Sequence, residues 1–550
     1  MAHRILFIIM AFAAIVTQAQ AQEEDPFVHR LLPICDFGSD HISDPAKSPA
    51  KVGSHANASL TSAGSPKVPV ILVQFNDLFF TSGLGTHVDE AGNTVKNDCL
   101  TETQKDSVNS FYDKFCNGLR DGSYYTGAGS RGAVSEYFRD QSYGQFTPEF
   151  VVIGPVTLGK SYAYYGEDTG GSKDIHIYDF YREAISQAQQ LCTNWDQFDN
   201  DGNGNVDMAF FIYAGEGQNA HSSQDEYKTL IWPKEEASGG NINGLRYGAY
   251  ACTNELLGSY TDGIGCFTHE LSHALGLPDF YDTNYVGYGL DYWDIMDGGC
   301  YCRNGFAPCG YSAYERDFMG WQQLITLDGT QIQHIKAEPT WNGGAGYKMV
   351  NPENENEYYV IENRQNRRWD AYIGRGDSQH LCHGLLITHV DYNRSAWIGN
   401  HVNTNASHQR MTIVPADGKL DSYNNVTTQE EFVAAQVSAQ GDLYPGTTNT
   451  TALTGAKATV FTTTGATPGL MGQCIMNIVE NSDGSIEFDY LPDASKETGI
   501  ADIISPDQLL PIHSISGITV GQGTLRQAVS LQLQLPTGIY IIGGAKIVIK

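Results

Sequence analysis

The sequence predicts an α/β (α+β) domain, followed by a β-sandwich and a small C-terminal β module. Three observations predict it. Between residues 67 and 323, short apolar runs of strand length alternate with segments of helical periodicity. From 324 to 491 the helical periodicity gives way to β-type segments separated by polar turns. From 492 to 550 a compositionally distinct tail ends in the hairpin-like run Gly538–Lys550, with Gly543-Gly544 at its turn.

Composition sets the frame for these elements. A chain of 550 residues exceeds one ordinary core, so two or three domains are expected. The 41% apolar fraction supplies the burial, and 31 Tyr with 23 Phe favour β-rich surroundings. A formal charge of −30 argues against nucleic acid as a partner, because phosphate binding demands basic patches.

In chain order, residues 1–21 read as a signal peptide. His3 and Arg4 precede the apolar run Ile5–Val16, and Ala19-Gln20-Ala21 supplies a small-residue cleavage site. The run is too short to cross a bilayer easily, and no later segment is long and apolar enough. Export is therefore expected. Residues 22–66 are polar and aperiodic, as in a propeptide or tether, and Cys35 or Asp36 could cap a metal there as a latency ligand. Order is expected to begin at Val68–Phe75, a buried strand, with helices near Ser107–Cys116 and Val134–Arg139. Extended structure is expected over Gln145–Leu158, an amphipathic helix over Ile175–Cys192 and a second buried strand at Met208–Tyr213.

The loop before that second strand packs oxygen-bearing side chains at alternate positions: Asp199, Asp201, Asn203, Asn205 and Asp207. Calcium prefers such ligands, and Gly202 and Gly204 let the loop curl. The run resembles the start of an EF-hand loop, but Ile212 stands where the closing glutamate belongs, so Asp207 has to help close the site.

The chemistry-bearing motif is His269-Glu270-Leu271-Ser272-His273, extended to Gly276, Pro278 and Asp279. Two histidines four positions apart share a helix face, about 6 Å apart along the axis, and can converge on one zinc ion. Glu270, one step round, is placed to act as general base toward water on that metal. Gly276 can end the helix in the left-handed region, which lets the chain swing Asp279 back as third metal ligand; Asp282 competes for that role. Ile264, Phe267, Leu271, Ala274 and Leu275 recur at helical spacing, so one face of this helix should be buried.

Other clusters carry less. The 11 cysteines suit an oxidising compartment, and their odd number leaves at least one without an intramolecular partner. Cys300, Cys302 and Cys309 read as disulfides or buried thiols rather than a second metal site. His380, His383 and His389 read as ordinary strand histidines.

The stretch His269–Asp282, followed by Tyr292-Trp-Asp-Ile-Met-Asp-Gly-Gly299, resembles the immune inhibitor A family of secreted bacterial zinc metallopeptidases. Supporting segments are Val134–Phe138 with Ser142–Gly144, the Asp199–Asp207 loop, Ala313–Arg316 with Gly320-Trp321, and Glu357–Arg364. The resemblance implies a zincin-type metallopeptidase domain with the active-site helix beneath a partly mixed sheet, and Met296 as a methionine turn under the metal. The implied activity is a zinc-dependent endopeptidase acting on protein or peptide substrates bound along an edge strand. Tyr311 and Tyr314 are candidate oxyanion donors. The tail is similar to type IX secretion sorting domains of Bacteroidetes, which implies a contact with outer-membrane secretion machinery and release or surface attachment. Two rival readings are a catalytically inactive adhesin or binding protein on a zincin scaffold, and a zinc amidase or glycan-directed hydrolase. The intact Glu270 speaks against the first.

Overall fold

The computed structural model describes residues 58–549, apart from 83–85, 89–93, 97–98, 171, 222–226, 237–238, 259, 285, 377–379, 422, 424–425, 427, 462–469, 497–509, 515–517, 525–534 and 543–544. The expected signal peptide, residues 1–21, and the candidate latency residues Cys35 and Asp36 lie outside the described residues.

Apolar strand runs in the first half assemble into one sheet because both of its faces are covered. Its order is Glu149–Thr157, Lys67–Gln74, Val206–Glu216, Leu245–Leu257, Lys234–Glu236. The first four strands run parallel, and the short edge strand Lys234–Glu236 is antiparallel to its neighbour. Side chains alternate across the sheet. Ile71, Val73, Phe211 and Tyr213 meet Phe180, Tyr181, Ala184 and Ile185 of helix Ile177–Leu191. Val70, Leu72, Met208 and Phe210 meet Phe267 and Leu271 of helix Ile264–Ala274 on the other side. Phe210 stacks on Phe267 with ring centroids 3.7 Å apart and planes 12° apart. This covering of both faces is why these strands read as continuous apolar runs rather than alternating ones.

Helix Glu102–Asn117 starts where Thr101 and Gln104 cap each other reciprocally, and helix Val134–Gln141 packs in the same core through Val134, Tyr137 and Phe138. Residues 58–66 depart from the expected tether. The amides of Ser59 and Leu60 donate to the Ala274 carbonyl, Leu60 enters the core, and the Trp321 indole donates to the Ser62 carbonyl. Their composition is polar because backbone capture, not side-chain periodicity, holds them.

The second half contains a five-stranded sheet, ordered Ile325–Leu327, Tyr347–Asn351, Asn354–Arg364, Gly384–Asp391, Met411–Ile413. A three-stranded sheet, Gln333–Ala337, Ile486–Leu491, Cys474–Glu480, shares a core with it through Ile361, Ile387, Ile475 and Phe488. The opposite face of the larger sheet buries Val360, Leu386 and Val390 in the core of the first half. Contrary to the purely β expectation, this region also holds helices Arg394–Ile398 and Gln429–Ala439, the second opened by a reciprocal Thr428–Glu431 cap. The tail contributes an antiparallel four-stranded sheet, ordered Thr519–Gly523, Leu510–Ser514, Gly538–Ile542, Ala545–Ile549. Among the described residues, no helix is long and apolar enough to cross a membrane.

Candidate functional site

Helix Ile264–Ala274 is buried along its whole length, with the sheet on one side and the segment 300–305 on the other. Gly265 makes that second approach possible, since a Cβ there would sit 1.8 Å from the Cys300 carbonyl oxygen. The helix ends in a Schellman motif. The Leu277 amide donates to the Ser272 carbonyl at 3.2 Å and the Gly276 amide to the His273 carbonyl at 2.8 Å, with Gly276 at φ 104°. This stop serves the site directly, because the Leu277 carbonyl accepts a hydrogen bond from His273 Nδ1 at 2.8 Å.

His269 is fixed in the same way, its Nδ1 donating to the Ile295 carbonyl at 2.8 Å. Carbonyl oxygens only accept, so each Nδ1 carries a proton, and Nε2 is the ring nitrogen turned toward Asp279. Those two Nε2 atoms lie 3.3 Å and 3.4 Å from one oxygen, Asp279 Oδ1. That oxygen is buried and has no hydrogen-bond donor. Three potential ligand atoms thus face one another in a buried site, an arrangement that suits a metal cation. Burial by itself pushes the His269 imidazole toward its neutral form and the Asp279 carboxyl upward. The His273 and His269 imidazoles reverse the second effect and hold Asp279 below the usual carboxylate range.

The outer partners complete the geometry. Asn400, from the second half of the chain, receives the Asp279 amide at 2.7 Å and donates its Nδ2 to Asp279 Oδ2 at 2.6 Å. Asn403 Nδ2 donates to the Phe280 carbonyl at 2.6 Å, and the Phe280 amide donates to the Met296 carbonyl at 2.9 Å. Among the described residues, His269, His273 and Asp279 form one of two groups able to offer three ligand atoms within 4.8 Å of one another.

Residues 56–324 match the immune inhibitor A peptidase M6 catalytic domain.

Two relatives agree with this. Immune inhibitor A of Bacillus thuringiensis subsp. alesti is 28% identical over 229 residues, covering 35% of this chain and 33% of its own. Pre-pro-metalloprotease PrtV of Vibrio cholerae serotype O1 (strain M66-2) is 27% identical over 248 residues, covering 39% and 27%. The alignments therefore span about a third or less of the relatives' own length. The matched description is that of a peptidase catalytic domain, and PrtV is named a metalloprotease.

Within the M6 segment, the remaining candidates separate. Glu270 is fully buried on helix Ile264–Ala274, about 100° round from His269. Asp282 does not join the trio. Its Oδ1 takes the Asn284 amide and its Oδ2 the Val286 and Gly287 amides, so it caps a turn. Met296 is buried in the turn whose carbonyls at 295 and 296 hold His269 and Phe280.

Tyr311 is buried. Its hydroxyl bonds to Ser272, and its ring stacks on Trp321 with centroids 5.1 Å apart. Tyr314 is likewise packed away, against Phe280 and Trp397 at 5.8 Å and 6.4 Å. Both rings are thus packed among core side chains, and the Tyr311 hydroxyl is engaged by Ser272. Cys300, Cys302 and Cys309 are buried free thiols, with burial pushing Cys302 up to about 12. His383 and His389 pair with separate carboxylates, Glu480 and Glu357.

The Asp-rich loop forms the second three-ligand group through Asp199, Asp201 and Asp207. Asp199 carboxylate oxygens take the Asn203 and Gly204 amides at 2.9 Å and 2.8 Å, and Asn203 Oδ1 takes the Asn205 amide at 2.8 Å. Asp207 Oδ1 is buried without a hydrogen-bond partner. Burial, with Asp201 and Asp199 adding repulsion, raises its carboxyl to about 6. A buried acidic oxygen lacking a donor, beside two further carboxylates, fits a hard cation. The residue that sequence reasoning missed is Asn400, 121 positions from Asp279. Its one local signal is a positive φ of 54°, invisible without coordinates.

Proposed function

We propose that this chain is a secreted zinc-dependent endopeptidase, with zinc held by His269, His273 and Asp279. The observation that carries the reading is the convergence of two imidazole Nε2 atoms, 3.3 Å and 3.4 Å away, on one buried carboxylate oxygen, Asp279 Oδ1. Bound there, zinc supplies Lewis-acid polarisation of water and of a scissile carbonyl. The Glu270 carboxylate accepts the water proton and returns it to the leaving amine nitrogen. Ile295 and Leu277 hold the imidazole tautomers through the reaction, and Asn400 holds the carboxylate. Extended substrate pairs its backbone along an edge strand.

In this reading Asp199, Asp201 and Asp207, with Asn203 and Asn205, bind a structural calcium ion that pins the entry to strand Val206–Glu216. The arrangement is of the zincin type, with a β-sandwich after it. Export through residues 1–21 and sorting through the C-terminal sheet fit the sequence features of both ends.

Protein-gel zymography of the full chain, with and without a zinc chelator, tests the assignment. Activity should vanish with chelator and return with zinc. Glu270→Ala should lose about 10²–10⁴-fold in kcat while still binding zinc. A Glu270→Ala protein of wild-type activity would refute the mechanism, and zinc binding without peptidase activity in the wild type would favour the binding-protein alternative.

A further inference from the structure

Away from the three metal-facing residues, a cleft of about 380 Å³ opens beside helix Val134–Gln141, walled by the segments 340–342 and 368–370. In a chain of charge −30 its wall is unusual in holding three arginines: Arg139, Arg316 and Arg368. Arg316 is 3% exposed. It gives Nε to the Gln141 carbonyl at 3.3 Å and Nη2 to Gln141 Oε1 at 2.8 Å, while its Nη1 has no partner. The Tyr143 ring lies over that guanidinium at 5.6 Å. Arg139 and Arg368 both lie over the Tyr124 ring, at 5.2 Å and 5.9 Å, which orients them.

The acceptors facing these donors are already engaged. Gln141 Oε1 takes the Tyr311 amide as well as Arg316. Asp370 is held through two hydrogen bonds by buried Arg364 and takes the Gly310 amide. Asp140 takes the Tyr124 hydroxyl, the Trp369 indole and Arg139. The cleft therefore offers surplus donors and suits an acceptor-only group. A planar carboxylate matches guanidinium geometry, whereas a neutral sugar needs acceptors for its hydroxyl protons.

Trp341, 38% exposed, lines both this cleft and a second one of about 690 Å³. There Asn366 carries a side-chain carbonyl and amide that both lack partners. A paired donor and acceptor on one side chain matches the two groups of a single peptide unit.

We propose that these two clefts, which share Trp341, dock an acidic peptide segment, with a glutamate or aspartate carboxylate received by Arg316 and Arg368 and the backbone crossing Trp341 to pair with Asn366. The site is distinct from the candidate metal centre, whose residues do not line either cleft.

Isothermal titration calorimetry on the full chain tests this independently of peptidase activity. The probes are a doubly blocked Ala-Glu-Ala peptide, its Ala-Gln-Ala counterpart and free glutamate. The glutamate peptide should bind, with the glutamine version about tenfold or more weaker. Arg368→Gln, at an exposed position that leaves the fold intact, should remove that difference. Asn366→Ala should weaken the peptide without altering free glutamate. Four results would each overturn the proposal: no heat with the glutamate peptide, equal binding of the two peptides, unchanged selectivity in Arg368→Gln, or free glutamate binding as tightly as the peptide.

Discussion

Replacing Asn400 by glycine probes the candidate metal centre without touching any of its three ligands. Asn400 makes two hydrogen bonds to Asp279, one to the backbone amide and one to Oδ2, at 2.7 Å and 2.6 Å. Both residues are buried, so no bulk water stands ready to replace the lost amide. A hydrogen bond to a charged group is worth about 1.5–3 kcal/mol. At about 1.4 kcal/mol per decade, that is a loss of roughly 10- to 100-fold in zinc affinity, the range seen when an outer partner of a metal ligand is removed. Glycine is preferred to alanine because Asn400 sits at φ 54°. Alanine there would add about 1–2 kcal/mol of left-handed strain and blur the result. Competition with a chromophoric chelator reads the affinity directly, and peptide hydrolysis at excess zinc should recover much of the activity, since the ligands remain. A folded Asn400→Gly protein that binds zinc within about twofold of wild type would refute the reasoning that this amide holds the carboxylate in place.

Three further outcomes are expected. Calcium at about 100 times its Kd should stabilise the protein by about 2.7 kcal/mol, read as a rise in Tm that disappears in Asp201→Ala; identical melting with and without calcium would remove the Asp-rich site. Burial, reinforced by Asp417, Asp291 and Asp421, raises the Asp442 carboxyl to about 9. Its native pKa thus exceeds its unfolded one, so the unfolded chain binds fewer protons between about pH 4 and pH 9 and stability falls with rising pH across that window, by at most about 1.4 kcal/mol per unit. Asp442→Asn should flatten this slope and melt higher at pH 8; an unchanged slope would count against the buried, protonated carboxyl. Tyr311→Phe should keep kcat within about twofold and lose about 1 kcal/mol of stability with its bond to Ser272. A loss of about 10²-fold or more in kcat would restore Tyr311 as an oxyanion donor.

The sequence by itself determined whatever rests on local spacing. The four-residue interval of His269 and His273, the Gly276 stop, the alternating oxygens of Asp199–Asp207 and the apolar strand runs are all periodicities of one segment of backbone. They survive in the structure with boundaries shifted by a few residues. Tertiary structure alone decided between Asp279 and Asp282 as the carboxylate that meets the imidazoles, because both lie within reach of the turn and only packing assigned Asp282 to backbone amides. It also took Tyr311 and Tyr314 into the core, drew residues 58–66 onto the end of helix Ile264–Ala274 and brought Asn400 across 121 positions to Asp279. The physical reason is the same in each case. A hydrogen bond or ring contact between distant segments depends on where whole elements pack, and no periodicity within either segment encodes it.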